Sequence, residues 1–172
     1  LQLGTQLTEL FKGNVTTERK LRYIAGSVLS GRKIEADGFL GAKDAMISVI
    51  PEGDDIDELF GWIMPRTNQF SMSHSYLSWL QGKKKYTLDA RIKGGERKMI
   101  FSNEYDKVLP MDIYPEYLIK AILAGDIDRM EQLGVYEIVP EDFALCEFVC
   151  SSKVELQKII RNGLDMLRAE MC

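Results

Sequence analysis

Two hydrophobic rhythms divide this chain. Leu7, Leu10 and Phe11 share one face of a short opening helix, with Thr5 as its expected N-cap and Gly13 as its stop. Apolar residues then gather into β-branched or aromatic runs bounded by Gly, Pro and Asp, which predict strands at Leu21 to Ala25, Ala45 to Ile50 and Leu59 to Met64. Tyr76, Leu77, Trp79 and Leu80 predict a short helix ending at Gly82, and the alternation from Tyr86 to Ile92 before Gly94-Gly95 predicts a hairpin ending near Met99 to Phe101. Beyond Leu109-Pro110 the spacing turns helical. Pro115 opens a helix that Gly125 ends, Asp126 caps a second that Gly134 stops, and Pro140 opens a third containing Cys146 and Cys150. In the last helix Ser152 and Glu155 are spaced as a capping box, and Leu156, Ile159, Ile160, Leu164, Leu167 and Met171 form one apolar stripe.

These elements predict an α+β chain: residues 1–65 one helix over a few strands, the content of a β-grasp; 66–102 a connector with a short helix and hairpin; and 103–172 a small helical bundle. With 172 residues, 45% of them apolar, the chain has material for one substantial core or two small ones. Its net charge of -4 and pI near 5.2 argue against a nucleic-acid partner, because phosphate binding needs a basic face and Lys83-Lys84-Lys85 is too short a run to supply one. No run reaches the roughly 18–20 apolar residues that cross a bilayer, so membrane association is expected through partners. The sequence begins at Leu1 without a secretory signal and reads as starting mid-protein, and three cysteines in such a chain favour reduced thiols in a cytosolic setting.

The candidate chemistry centres on Cys146 and Cys150. The bacterial cluster-binding run is Cys-x2-Cys-x2-Cys-x3-Cys-Pro; laid on these two cysteines, its first two ligand positions fall on Pro140 and Phe143, and Ser151 replaces the final proline. A cubane needs four ligands, so the segment reads as ferredoxin-like and helical but without its iron. Adding Cys172 and His74 gives the residue types of a Cys3His zinc site without the close paired spacing of zinc modules. Buried structural thiols are the simpler account, and an i,i+4 disulfide between Cys146 and Cys150 would be strained.

Other motifs read as structure. Gly26 to Gly31 has P-loop spacing, but Arg32 and Lys33 stand where Lys and Ser/Thr belong, leaving a glycine-permitted loop between strands. The acidic stretch Pro51 to Glu58 lacks calcium-loop spacing and reads as a solvated turn, while Asp126 and Asp128 suit a helix start. His74 has no catalytic partner indicated by sequence. Trp62, Met64, Tyr76 and Trp79 can line a hydrophobic groove for an isoprenoid tail or an inhibitor, although core packing explains them more economically.

Nearly the whole chain carries a further pattern. Gly26-Ser27-Val28-Leu29-Ser30-Gly31, Glu58-Leu59-Phe60-Gly61-Trp62-Ile63-Met64-Pro65, Asn103 to Asp112, Leu118-Ile119, Leu123-Ala124-Gly125-Asp126, Glu141 to Cys146 and Phe148-Val149-Cys150 resemble, in the same order, the C-terminal part of the A-subunit family of sodium-translocating NADH:quinone reductases. The resemblance implies an N-terminally truncated β-grasp domain of the soluble ligand-binding (SLBB-like) type with an exposed sheet edge, followed by a small ferredoxin-like bundle lacking an iron–sulfur cluster. It implies a peripheral piece on the cytoplasmic side of the bacterial inner membrane, with the other subunits as partners, especially a membrane-embedded one, and a quinone nearby. NADH, quinone and flavins belong to the whole complex; the piece itself is expected to hold no cofactor or metal and to catalyse nothing alone. A more distant likeness to the C subunit of Rnf complexes and the flavin-carrying subunit of complex I supplies the rival reading, an iron–sulfur or zinc electron-transfer domain. A third is a β-grasp module for a soluble small molecule.

Overall fold

The computed structural model describes residues 4–15, 17–54, 67, 69–72, 74, 76–82 and 85–171, arranged in two compact units that meet in sequence at Arg91 and Ile92. The division falls inside the 66–102 stretch read as a connector.

The first unit has three antiparallel strands in the order β2-β1-β3, with β1 at Leu21–Ala25, β2 at Arg32–Ile34 and β3 at Ile47–Pro51. The central strand starts as the hydrophobic run predicts. The third is displaced from the predicted Ala45 to Ile50, and β2 was not expected, since Arg-Lys-Ile offers little hydrophobic signal. Tyr23 pairs with Ile34 on one side and Val49 on the other. Helix α1, Leu7–Phe11, buries Leu7 and stacks Phe11 on Tyr23 of β1 with ring centroids 4.3 Å apart. Its N-cap is Gln6 rather than Thr5 and makes no side-chain cap bond; Leu7 N–H instead donates to the Gly38 carbonyl at 3.0 Å. The expected strand at Leu59 to Met64 lies outside the described residues.

The Gly26–Gly31 loop joins β1 to β2. The N–H groups of Gly26, Ser30 and Gly31 donate to the Met46 carbonyl, the Ser27 hydroxyl and the Ser27 carbonyl, so they do not converge on an anion as a P-loop's do. A Cβ at Gly31 would sit 2.5 Å from the Ser27 carbonyl oxygen, which makes glycine a steric requirement there.

A single 3-10 turn, Leu77–Gln81, forms where a short helix was expected, and Gly82 follows it. The hairpin over Tyr86 to Phe101 does not form: no strand is present there among the described residues. The amide of Ala90 pairs with the Pro51 carbonyl and that of Arg97 with the Ser152 carbonyl, each within its own unit, so these backbone groups find partners away from the Gly94-Gly95 turn.

The second unit is helical. Helix α2, Pro115–Ala124, begins at its proline and ends at Gly125 with φ 68°; α3, Ile127–Gln132, is capped by Asp126, whose carboxylate accepts from Arg129 N–H at 3.1 Å; Gly134 turns the chain with φ 84°. A 3-10 turn, Pro140–Phe143, runs into α4, Ala144–Val149, and α5 spans Leu156–Met171. Two expectations change. Cys150 lies just past the end of α4, and Ser152 and Glu155 do not cap α5: Ser152 is buried, Glu155 pairs with Lys158, and the Glu147 carboxylate accepts Gln157 N–H at 2.9 Å. In the α5 stripe Leu156, Ile160 and Leu167 are buried, Ile159 and Leu164 half-buried, and Met171 exposed. Gly163 lets α5 approach α2; a Cβ there would meet Ile122 Cγ2 at 2.8 Å.

Candidate functional site

The four frame positions fall on one short segment. Pro140 opens the 3-10 turn, and the Asp142 carboxylate accepts Val139 N–H at 2.9 Å, fixing its start. Pro140, Phe143, Cys146 and Cys150 are all buried; Phe143 and Cys146 have no exposed surface. Cys150 N–H closes α4 on the Cys146 carbonyl at 3.0 Å, and its sulfur lies 3.0 Å from the hydroxyl of Tyr105, itself buried. Both cysteines are free thiols.

Tyr105 owes its place to two carboxylates. Glu116, buried in the first turn of α2, accepts from Ser102 N–H at 2.9 Å, Asn103 N–H at 2.8 Å and the Ser102 hydroxyl at 3.3 Å, which fixes the turn entering the 3-10 segment Tyr105–Lys107. Glu104 reaches the other way and accepts Ser151 N–H at 3.1 Å, tying this segment to the residue after Cys150. With Glu147 holding the start of α5, three carboxylates clamp the backbone around the cysteine segment. A carboxylate accepting several N–H groups is a strong substitute for regular secondary structure, because each bond is charge-assisted.

The electrostatics favour neutral groups. Burial, with the hydrogen bond to Cys150 next in weight, raises the Tyr105 hydroxyl well above the usual phenol range. Burial likewise pushes the Cys146 thiol up to about 12, with nearby Asp106 adding to the effect. Burial thus disfavours the Cys146 thiolate that a metal or cluster would take. Proline and phenylalanine offer no donor at the remaining positions, and among the described residues no group of three or more His, Cys, Asp or Glu side chains converges on a point. The donor set does not fit a cubane. It fits a packed core with one sulfur–hydroxyl contact.

The remaining candidates are dispersed. His74 is exposed and stacks on Trp79 with centroids 5.5 Å apart; it belongs to the first unit, whereas Cys146 and Cys150 belong to the second, and Cys172 lies outside the described residues. Trp62 and Met64 also lie outside them; Tyr76 is half-buried and Trp79 exposed. In the acidic stretch, Glu52 takes both arms of the Arg22 guanidinium and Asp54 meets Lys20 at 3.3 Å, while residues 55–58 are outside the described set. Tyr105 and the three clamping glutamates went unread in the sequence. A glutamate directly after the proline that opens an apolar helix was the available sign for Glu116.

Comparison with known proteins decides where this arrangement belongs. A family model described as the NQRA C-terminal domain (NQRA_SLBB) matches residues 1–36. The A-subunit of the Na(+)-translocating NADH-quinone reductase of Rhodopirellula baltica is 41% identical over 170 residues, covering 98% of this chain. Over its own length, this chain belongs to the A-subunit family of these reductases. The corresponding proteins of Yersinia pestis and Vibrio anguillarum are each 39% identical over the same share of the chain. The chain spans less than two-fifths of the length of these relatives, 37% of the first and 38% of the others. A small antiparallel sheet followed by helices makes this A-subunit segment α+β. Among its described residues no helix is long and apolar enough to cross a membrane.

Proposed function

We propose that the chain is the C-terminal part of a peripheral subunit of a sodium-translocating NADH:quinone reductase, serving as a cofactor-free docking element on the cytoplasmic side of the bacterial inner membrane. The end-to-end match to proteins named as the A-subunit of that reductase carries this reading. The whole complex oxidises NADH, reduces quinone and exports sodium through flavins and metal centres borne by other subunits. This segment supplies shape. Its β-grasp part and its ferredoxin-like bundle present surfaces to a membrane-embedded partner and border a quinone-related site.

The bundle's internal chemistry supports the docking half. Where an iron-carrying relative places thiolates, this chain has Pro140, Phe143, a neutral Cys146 and a Cys150 engaged by Tyr105. Carboxylate clamps hold the backbone in the role that metal bonds would otherwise take. Names of the relatives give no support to the Rnf-like electron-transfer reading.

Reconstitution tests the proposal. The full-length A-subunit, added to membranes carrying the other subunits, should restore NADH-dependent quinone reduction, and excess free 172-residue chain should compete with its assembly. Undiminished assembly at saturating competitor, together with full activity from a full-length protein deleted for this region, would refute it.

A further inference from the structure

The second unit carries an aromatic surface that its core does not use. Tyr117 on the outer face of α2 packs against Phe101 with centroids 5.1 Å apart and against Tyr114 in an edge arrangement at 6.2 Å. All three rings are at least half exposed. Lys120, one turn along α2, holds its ammonium 3.7 Å over the Phe101 ring, and Arg97 and Lys98 precede Phe101 by four and three residues in sequence. Among the described residues none of these three cations has a carboxylate partner. Rings braced against one another lose little freedom on binding, and desolvated aromatic and arginine side chains dominate binding energy at protein interfaces.

We infer that the platform of Phe101, Tyr114, Tyr117 and Lys120, edged by Arg97 and Lys98, receives an apolar segment bearing carboxylates from another subunit of the complex. This rests on the assembly reading above. Charge complementarity selects the chemistry: cations without internal partners around exposed rings call for an apolar contact rimmed by negative charge. A protein segment fits better than an anionic bilayer. The unit from Ile92 onward has more acidic than basic residues, so an extended negative plane would repel most of it, whereas a narrow peptide meets only the platform.

Two variants of the full-length A-subunit test this, R97E/K98E/K120E and F101A/Y117A, with R129E/R168E as a charge-reversal control elsewhere on the unit. Each is titrated onto membranes that hold the other subunits but lack this one, and onto protein-free vesicles of phosphatidylglycerol and phosphatidylethanolamine. Matching far-UV circular dichroism and melting curves first establish that the variants fold. Expected are at least tenfold weaker binding of both platform variants to the depleted membranes, wild-type binding by the control, and no binding of any form to the vesicles. Platform variants that bind the depleted membranes like wild type would overturn the inference while leaving the assembly reading intact. Wild type that binds the bare vesicles as tightly as the depleted membranes would overturn it in favour of lipid. Wild type that binds neither would overturn the assembly reading, and the inference with it.

Discussion

Replacing Glu116 with alanine should destabilise the second unit selectively. Its Oε1 accepts two backbone N–H groups, at 2.8 and 2.9 Å, and a serine hydroxyl at 3.3 Å, in a side chain only 3% exposed. A hydrogen bond to a charged group is worth about 1.5–3 kcal/mol. Because all three share one oxygen and the donors are only part-buried, their loss is sub-additive and comes to about 3 kcal/mol. Alanine's better helix propensity returns about 0.5 kcal/mol, and a similar amount is lost with the charge at the α2 N-terminus. For a unit of this size, with a urea m-value of about 1–1.5 kcal/mol/M, the midpoint should fall by about 2 M. Glu116→Gln keeps an acceptor and should cost about 1 kcal/mol. Trp79 belongs to the first unit and Trp62 falls within its sequence range, so tryptophan fluorescence follows that unit while far-UV circular dichroism follows mainly the helices of the second. The dichroism transition should move and the fluorescence transition should not. A shift below about 0.5 M, or equal shifts in both signals, would refute the clamp.

Other consequences are separable. The raised Cys146 and Tyr105 groups bind protons more tightly folded than unfolded, so their stabilisation is complete below the ordinary thiol and phenol values and is lost as pH rises toward the folded ones. Urea midpoints followed by dichroism should be flat from about pH 7 to 8 and fall between about 9 and 12, at up to about 1.4 kcal/mol per pH unit for each group; Tyr105→Phe should flatten part of that fall. Gly163→Ala should lose about 1–2 kcal/mol in the same assay, because about 1–3 kcal/mol of overpacking against Ile122 exceeds the helix-propensity gain. Asn162→Ala, at an exposed position of the same helix, should be neutral or slightly stabilising.

Local signals were the legible ones. Pro115, Gly125, Asp126 and Gly134 each act within a turn of their own position, and the helices they delimit follow them. Strand β1 was equally plain, its burial rising toward Ile24 and Ala25. The hairpin failed because alternation at Tyr86 to Ile92 says nothing about which backbone the segment will meet, and Ala90 and Arg97 find theirs at Pro51 and Ser152. The Ser152–Glu155 spacing likewise fits a cap, but the helix starts later and a carboxylate from α4 takes the role. At the site, spacing alone picked out the four frame positions. Tyr105 sits 45 residues before Cys150, and Glu104 and Glu116 look like surface charge in a linear reading; only tertiary packing shows them as clamps.

The central claim is that a shape associated with iron persists here on side-chain packing and carboxylate bonds. Anaerobic reconstitution of the 172-residue chain with ferrous iron and sulfide, followed by desalting, metal and acid-labile sulfide analysis and a visible spectrum, tests it directly. A colourless protein with iron and sulfide at background, its helical dichroism equal to that of untreated chain, is the predicted result. A stable brown protein retaining about four irons and four sulfides per chain, and losing them on Cys146→Ala, would contradict it.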